Sequence, residues 1–220
     1  DSVGMLLAAT FQQGTSDKRQ ETGIAKTIPG VEFMEDLVAM AAKEHVRTAF
    51  IGGREGVAVA TLECLHRKYS GLEGWAEEPP EFEIKSANLL INQSTNDKDY
   101  IEKLAMKIVE TGTQLVFVAL GPPKQELFMI KLQETWSKLQ GESKEAGRLS
   151  PVAGPLMLMA VGGSFDELSG RLPRVPKWIA KIGLKWLWRL ILEPWRIRRQ
   201  LALVEFIWLV LHERVRGLQA

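Results

Sequence analysis

The sequence predicts an α/β fold in which helices cover a parallel sheet, followed by a C-terminal helical appendage. Three apolar runs predict buried strands, at residues 48–53, 115–120 and 156–161. None of the runs strictly alternates apolar with polar residues, and amphipathic helices separate them, as in parallel sheets that are covered on both faces. This alternation of strand and helix indicates a Rossmann-like sheet. The chain has 220 residues, which fits one domain of ordinary size or one domain with an appendage.

The helices are predicted from apolar residues at helical spacing. A helix is expected over residues 56–69, with Val57, Ala60, Leu62 and Leu65 facing inward. Another is expected over residues 97–111, with Ile101, Leu104, Ala105 and Ile108 facing inward. The other segments are predicted to be a turn-rich stretch (70–80), a short strand (88–92), a helix (126–140) and a polar surface loop (141–153).

Each predicted strand ends in a turn of small residues: Gly52-Gly53, Gly121-Pro122-Pro123 and Gly162-Gly163. Ligands of doubly wound sheets bind at the carboxyl ends of the strands. Glycines allow the backbone to approach a phosphate or sugar closely, and the next helix presents free N–H groups to an anion. The three turns together indicate a nucleotide or nucleotide-sugar site, although glycines end strands in many sheets of this kind.

The second turn continues into Lys124, Gln125 and Glu126. At a helix start, the Gln125 amide could pair with a base or sugar, and the Lys124 ammonium with a phosphate. The structural alternative is a helix that begins after prolines and carries solvated polar residues.

The third turn continues into Ser164, Phe165 and Asp166. Ser164 could cap the next helix, with Glu167 completing a near capping box. Asp166 could instead bind a ribose or sugar hydroxyl.

The charge of the chain is divided between an acidic body and a basic tail. Residues 171–220 hold 11 Lys and Arg against 3 Asp and Glu, a net of +8, so the whole-chain charge of +1 leaves −7 for residues 1–170. Four tryptophans lie among the basic residues of the tail: Trp178, Trp186, Trp188 and Trp195. Such a tail fits an anionic surface, which could be membrane phosphate, a nucleotide diphosphate or nucleic acid. The alternative is a basic helix pair packed on its own domain. We divide the chain into a core, 1–170, and an appendage, 171–220.

Three arginines of the appendage, Arg189, Arg196 and Arg199, are spaced seven and three residues apart. These offsets fall on one face of a helix, but Pro194 interrupts it, so we expect two helices to meet there. Converging guanidinium groups would suit a diphosphate.

Other classes of site have no signal in the sequence. The three histidines have no metal-ligand spacing, so no metal site is expected. The single cysteine, Cys64, fits a reduced compartment and is expected to be a small buried residue. The longest apolar stretch of the tail, 201–211, is shorter than the roughly 20 residues that span a bilayer. The chain begins at Asp1 without an initiator Met, so we expect it to be a fragment.

Three motifs in order, LVFVALGPPKQE, MAVGGSFDELSGRLPRVPKW and GLKWLWRLILEPWRIRR, resemble the WecG/TagA/CpsF glycosyltransferases. The family's Asp-Gly-x-Gly corresponds to Asp1-Ser2-Val3-Gly4, and its Gly-Gly-x-x-Gly-Val-Ala to Gly52-Gly53-Arg54-Glu55-Gly56-Val57-Ala58. The resemblance covers essentially the whole chain. The sequence departs from the family pattern at Ser2, at Glu32, and in a longer acidic stretch at 70–83.

The resemblance implies an inverting, metal-independent enzyme that needs no cofactor. Its substrates would be a UDP-sugar donor of the N-acetylmannosamine type and a polyprenyl-diphosphate-linked N-acetylglucosamine acceptor. Asp1 would be the general base, and Gln125 would contact the sugar nucleotide. The appendage arginines would close over the diphosphate, and the appendage would attach the enzyme to the cytoplasmic face of the plasma membrane. Self-association through the apolar tail is a further expectation.

Two rival hypotheses belong to other functional classes. One is an inactive paralogue that binds a nucleotide-sugar without turnover. The other is a nucleic-acid binder that uses the basic tail. The tryptophans at helical spacing beside Leu and Ile are typical of an interfacial membrane helix, and no nucleic-acid motif is present, so no nucleic-acid partner is expected.

Overall fold

The computed structural model describes residues 29–80, 95–145, 155–173, 175, 176, 179, 185–192 and 208. The chain divides into two compact units, one formed by Gly30–Pro173 and the other by Asp1–Pro29 with Arg174–Ala220. Each unit is considered by itself below. The division at residue 170 stays a prediction.

The unit Gly30–Pro173 alternates helices and strands. Its described elements, in chain order, are α1 (Gly30–Lys43), β1 (Thr48–Gly52), α2 (Val57–Lys68), β2 (Gly74–Glu77), α3 (Thr95–Thr111), β3 (Leu115–Ala119), α4 (Lys124–Glu145), β4 (Met157–Ala160) and α5 (Ser164–Leu168). In the other unit, the part that the structure describes contains the helix α6 (Lys185–Leu192).

The four strands form one parallel sheet in the order β2-β1-β3-β4. In the register of the two central strands, Phe50 pairs with Phe117, and Gly52 pairs with Ala119. All five residues of β1 and all five of β3 are buried, which explains why their sequences are continuously apolar rather than alternating. The predicted parallel α/β fold is therefore confirmed.

Helices cover both faces of the sheet. Successive strand residues point to opposite faces, so the continuously apolar central strands present an apolar surface on each side. On one face Phe50 packs against Phe117 and Phe165, at ring-centroid distances of 5.3 and 5.9 Å. That layer also contains buried residues of α1 and α2. On the other face Ile51 and Val118 pack against α3 and α4. The predicted inward residues of α3 (Ile101, Leu104, Ala105 and Ile108) are all buried, which confirms that helix.

The strand β2 was not predicted. It lies within residues 70–80, which were predicted to be a turn-rich stretch. It is an edge strand of four residues, all only half-buried, and therefore lacks the apolar run of a central strand. The strand β4 was predicted to be buried, but it lies at the opposite edge of the sheet, and Met157 is 46 % exposed.

Two helices also differ from the prediction. The helix α4 continues through Gly141 to Glu145, so the surface loop predicted from residue 141 begins too early. In α2 the buried positions include Ala58 and Thr61, whereas Ala60 and Leu62 are only half-buried. The buried side of α2 is thus shifted from the predicted side. The strand proposed at 88–92 lies outside the described residues.

Cys64 was predicted to be buried, and this is wrong, because it is only half-buried. Its sulfur accepts a hydrogen bond from Arg67 Nη2 at 3.1 Å and lies 3.8 Å from the carbonyl oxygen of Ser169. Within the described part of the chain, no helix is long and apolar enough to cross a membrane.

Candidate functional site

The end of β1 and the turn that follows it lie directly against the last residue of β3. Gly52 has a φ of 113°, and a Cβ added there would lie 2.5 Å from the carbonyl oxygen of Ala119. The next residue, Gly53, has a φ of 72°, and its N–H donates to the same carbonyl at 2.9 Å. Only glycine fits this crossing, so Gly52 and Gly53 bring two strand ends together at the carboxyl edge of the sheet.

Two side chains from distant segments bind the rest of this turn. The Glu78 carboxylate accepts hydrogen bonds from the backbone N–H groups of Glu55 (3.0 Å) and Gly56 (3.2 Å). The Arg171 guanidinium donates to the carbonyl oxygens of Arg54 (3.2 Å) and Glu55 (3.4 Å). The N–H groups that precede α2 were expected to be free for an anion. That expectation is wrong for these two, because Glu78 already accepts their hydrogen bonds.

The turn after β3 leads directly into α4. Gly121 has a φ of 74°, and its carbonyl oxygen accepts a hydrogen bond from the Gln125 N–H at 3.0 Å. The helix begins at Lys124, immediately after the two prolines and two residues before the predicted start. Both interpretations of this motif placed it at a helix start, so this position does not distinguish them. Lys124 is half-buried and Glu126 is exposed.

Gln125 stands out among the predicted site residues, because its side chain is polar and only 7 % exposed. Its Nε2 donates to Glu126 Oε1 at 2.9 Å, whereas its Oε1 is buried and has no hydrogen-bond partner among the described residues. The opposite amide orientation would put the carbonyl oxygen against the carboxylate, so the hydrogen bond fixes the orientation. An unpaired buried acceptor costs about 1–3 kcal/mol. A ligand N–H or O–H donor could satisfy it.

The turn after β4 brings α5 onto α2. Gly162 has a φ of 52°, and Gly163 is the N-cap residue of α5. The suggested capping role of Ser164 is wrong, because Gly163, which has no side chain to cap the helix, occupies the N-cap position. The Ser164 hydroxyl donates to the carbonyl oxygen of Val161 at 2.7 Å. Asp166 is half-buried, and its backbone carbonyl accepts the N–H of Leu172 at 2.9 Å.

The end of β2 carries a charged cluster that the sequence did not indicate. Lys107 Nζ lies 2.6 Å from Glu77 Oε2 and 4.1 Å from the centroid of the Trp75 ring. The Trp75 indole N–H donates to Thr113 Oγ1 at 2.9 Å. Burial raises the pKa of Tyr100, and the negative charge of Glu77 raises this pKa further. The cluster fixes α3 to the edge strand.

The structure brings together part of the predicted site. The sheet is parallel, so the turns that hold Gly52, Gly53, Gly121, Gly162 and Gly163 follow strand ends at one edge, together with the starts of α4 and α5. Glu78 and Arg171 were missed as site residues. Glu78 had no signal, and Arg171 was counted only among the 11 Lys and Arg of residues 171–220.

The other predicted site residues cannot be placed in this geometry. Asp1, Arg196 and Arg199 lie outside the described residues. Arg189 belongs to α6, in the second unit, and its side chain is likewise outside the description. In the ranges that are described, no group of three His, Cys, Asp or Glu side chains could hold a metal ion.

A parallel α/β sheet with three glycine turns and a buried unpaired acceptor near its carboxyl edge is the kind of arrangement at which doubly wound proteins bind their ligands. A comparison of the whole sequence with protein-family models identifies the family of this protein. The model of the glycosyl transferase WecG/TagA/CpsF family matches residues 1–220, and the chain belongs to this family. It is therefore a glycosyltransferase, with a sugar donor and an acceptor as substrates.

Proposed function

We propose that this glycosyltransferase moves an N-acetylmannosamine-type sugar from a UDP-sugar to a lipid-linked N-acetylglucosamine. The lipid carrier would be undecaprenyl diphosphate, and the product would enter a cell-surface polysaccharide or a teichoic acid linkage unit. The transfer proceeds with inversion and without a metal ion. The motifs shared with the family, distributed over the whole chain, support this choice.

The observation that carries the proposal is the Oε1 of the buried Gln125, which has no hydrogen-bond partner among the residues that the structure describes. A UDP-sugar with an acetamido group offers suitable donors: the amide N–H, the sugar hydroxyls and the uracil imide. Any of these would remove the cost of the buried acceptor on binding. Lys124 would interact with a donor phosphate, and Asp166 with a sugar hydroxyl.

The diphosphate gains negative charge as the bond to the sugar breaks. Arg189, Arg196 and Arg199 would offset this charge in place of a metal ion, through charge-assisted hydrogen bonds. Removal of one such donor costs about 2.7–4 kcal/mol of transition-state stabilisation in well-studied enzymes.

Asp1 would act as the general base. Its carboxylate takes the proton of the acceptor hydroxyl while the hydroxyl oxygen attacks the anomeric carbon from the face opposite UDP. The bond from the anomeric carbon to the β-phosphate oxygen breaks, and its electron pair leaves with UDP. Inversion follows from this single displacement.

The appendage, residues 171–220, would attach the enzyme to the cytoplasmic face of the plasma membrane. In α6, Leu187 and Ile191 lie four residues apart, on one side of the helix, and are 36 % and 67 % exposed. Trp208 is 60 % exposed. Exposed apolar side chains in a segment with a net charge of +8 fit an anionic lipid surface.

The test is release of UDP from UDP-N-acetylmannosamine in EDTA, with N-acetylglucosamine diphosphate on a lipid as acceptor and the full-length natural chain as enzyme. Acceptor-dependent release that survives EDTA supports the donor, the acceptor and the metal-free mechanism. UDP binding without release would replace the proposal with a nucleotide-sugar-binding protein. Release that stops in EDTA and returns with Mg²⁺ would contradict the metal-free step.

A further inference from the structure

We infer that Glu78 and Arg171 are positioning residues of the donor site, which hold the turn 52–56 against the end of β3. The inference rests on the proposed function, because it assumes that a sugar nucleotide binds at this edge of the sheet. Neither side chain is required to touch the donor.

Glu78 binds the turn through both of its carboxylate oxygens. Oε1 accepts the Glu55 N–H at 3.0 Å, and Oε2 accepts the Gly56 N–H at 3.2 Å. Glu78 immediately follows β2, so these bonds join the end of β2 to the turn after β1. Hydrogen bonds to an ionised acceptor are roughly twice as strong as neutral ones, so the pair is well suited to fixing a turn.

Arg171 holds the same turn by donating to its backbone carbonyl oxygens, whereas Glu78 accepts from its backbone N–H groups. Nη1 donates to the carbonyl oxygen of Arg54, and Nη2 donates to the carbonyl oxygen of Glu55 and to Glu55 Oε2, the last at 2.8 Å. The planar guanidinium presents its donors as a rigid fork, which lysine cannot reproduce. Arg171 lies just after α5, so it ties the segment after β4 to the turn after β1.

The turn needs such support, because its backbone is unfavourable. Glu55 has a φ of 56°, a left-handed conformation that non-glycine residues rarely adopt without outside constraint. Gly52, Gly53 and Gly56 also have positive φ angles, so four of the five turn residues lie in that region. Glycines lose the most conformational freedom on folding, so without the two side chains the turn would sample other conformations.

The position of this turn bears on Gln125. The Gly53 N–H donates to the carbonyl oxygen of Ala119, two residues before Gly121, whose carbonyl accepts the Gln125 N–H. A turn that moves would release the end of β3 and shift the buried acceptor. Because Glu78 occupies the two N–H groups before α2, these groups do not hold the donor diphosphate.

The experiment compares Glu78→Gln, Glu78→Asp and Arg171→Lys with the natural chain. The control is Glu63→Gln, which makes the same charge change at an exposed position of α2. Steady-state kinetics give kcat and the donor and acceptor KM, calorimetry gives the Kd for UDP, and amide exchange by NMR reports the Glu55 and Gly56 N–H groups.

The expected result is a donor KM and a UDP Kd raised about tenfold in Glu78→Gln and Arg171→Lys, the consequence of weakening one charged hydrogen-bonded group. The acceptor KM stays as in the natural chain, and kcat falls less than about twofold. Amide exchange of Glu55 and Gly56 accelerates in Glu78→Gln. Glu78→Asp, which keeps the charge, restores part of the donor KM, and Glu63→Gln changes none of these quantities.

Natural donor KM and UDP Kd in both variants would overturn the inference and leave the proposed function intact. So would a fall in kcat at unchanged donor KM that matches a loss of folded protein, because that is the result of a purely structural role. If the natural chain neither binds UDP nor releases it, the proposed function fails, and the inference fails with it before any variant is measured.

Discussion

Gly52 lies so close to Ala119 that a Cβ on Gly52 would be 2.5 Å from the Ala119 carbonyl oxygen and 2.7 Å from its carbonyl carbon. The obstacle is backbone of a central strand and cannot turn aside as a side chain could. The φ of Gly52, 113°, adds strain for any other residue. The close approach explains why the strand β1 ends in glycine.

Gly52→Ala is therefore expected to lower the free energy of unfolding by about 3 kcal/mol, from backbone strain and displacement of β3. Denaturant unfolding followed by circular dichroism measures the change. Gly141→Ala is the matched control, because Gly141 is exposed inside α4 and nothing lies within 4 Å of an added Cβ. It should raise stability by about 0.5–1 kcal/mol. Equal effects of the two substitutions would contradict the role of the close approach.

Thr61 provides a second test, at the contact between α2 and α5. Its buried hydroxyl lies 2.8 Å from the carbonyl oxygen of Val57 and 3.1 Å from that of Phe165. Thr61→Val keeps the shape but removes the hydroxyl donor at this contact, while the carbonyl oxygen of Phe165 still accepts the Ser169 N–H. Stability should therefore fall by about 0.5–1.5 kcal/mol, the net contribution of one hydrogen bond. Thermal or denaturant unfolding gives the value.

Thr135→Val is the control for Thr61→Val. The Thr135 hydroxyl makes the same kind of hydrogen bond within its helix, to the carbonyl oxygen of Lys131 at 2.9 Å, but at a half-buried position. Its loss should cost less than about 0.5 kcal/mol, as surface substitutions usually do. A loss at Thr135 as large as at Thr61 would show that helix propensity, rather than the contact with α5, sets the effect.

The sequence predicted the centre of the fold better than its edges. The strands β1 and β3 are buried throughout, so hydrophobicity alone identifies them. The edge strands are partly exposed, and for β2 the stretch around Trp75 resembles a turn region. Its strand conformation depends on pairing with β1, where Trp75 lies opposite Ala49. A single sequence does not display that pairing.

The candidate site shows the same division. The glycine turns and Gln125 follow apolar runs directly, so their place after the strands could be predicted. Glu78 contacts the turn across 22 to 23 residues of chain and Arg171 across 116 to 117, and no local pattern indicates such partners. The capping role suggested for Ser164 was wrong because the helix begins at Ser164 itself, so the N-cap position falls on Gly163.

Tyr100 should make stability depend on pH in alkaline solution. Burial, and then the Glu77 carboxylate, raise the pKa of Tyr100 above its usual value of 10.0. The folded state therefore keeps the phenol proton at a pH where the unfolded chain loses it. The contribution is fully present below the unfolded pKa and is lost as the pH rises above it.

Tyr100→Phe should remove this dependence, so the free energy of unfolding of the variant should fall less steeply at alkaline pH, by up to about 1.4 kcal/mol per pH unit. The measurement is denaturant unfolding from neutral to alkaline pH. The difference between the phenolate absorbance titrations of the natural chain and the variant reports Tyr100 itself. Parallel stability curves would contradict the raised pKa.

Gln125 is expected to lower the stability of the folded protein and to strengthen the binding of the sugar nucleotide. Its Oε1 is buried and has no hydrogen-bond partner in the part of the chain that the structure describes, and Gln125→Met replaces the amide by an apolar side chain of similar length. The variant should be more stable by about 1 kcal/mol, because the unpaired acceptor is gone. It should also bind UDP-sugar at least tenfold more weakly, if the amide is the ligand's partner.

Gln133→Met, on the exposed side of the same helix, is the matched control and should change neither quantity measurably. Denaturant unfolding measures stability, and calorimetry with UDP and UDP-N-acetylmannosamine measures binding. A gain in stability with unchanged binding would mean that Gln125 lies outside the donor site. Weaker binding with lower stability would mean that its amide supports the native fold. Only opposite changes in the two quantities fit an acceptor held ready for a ligand.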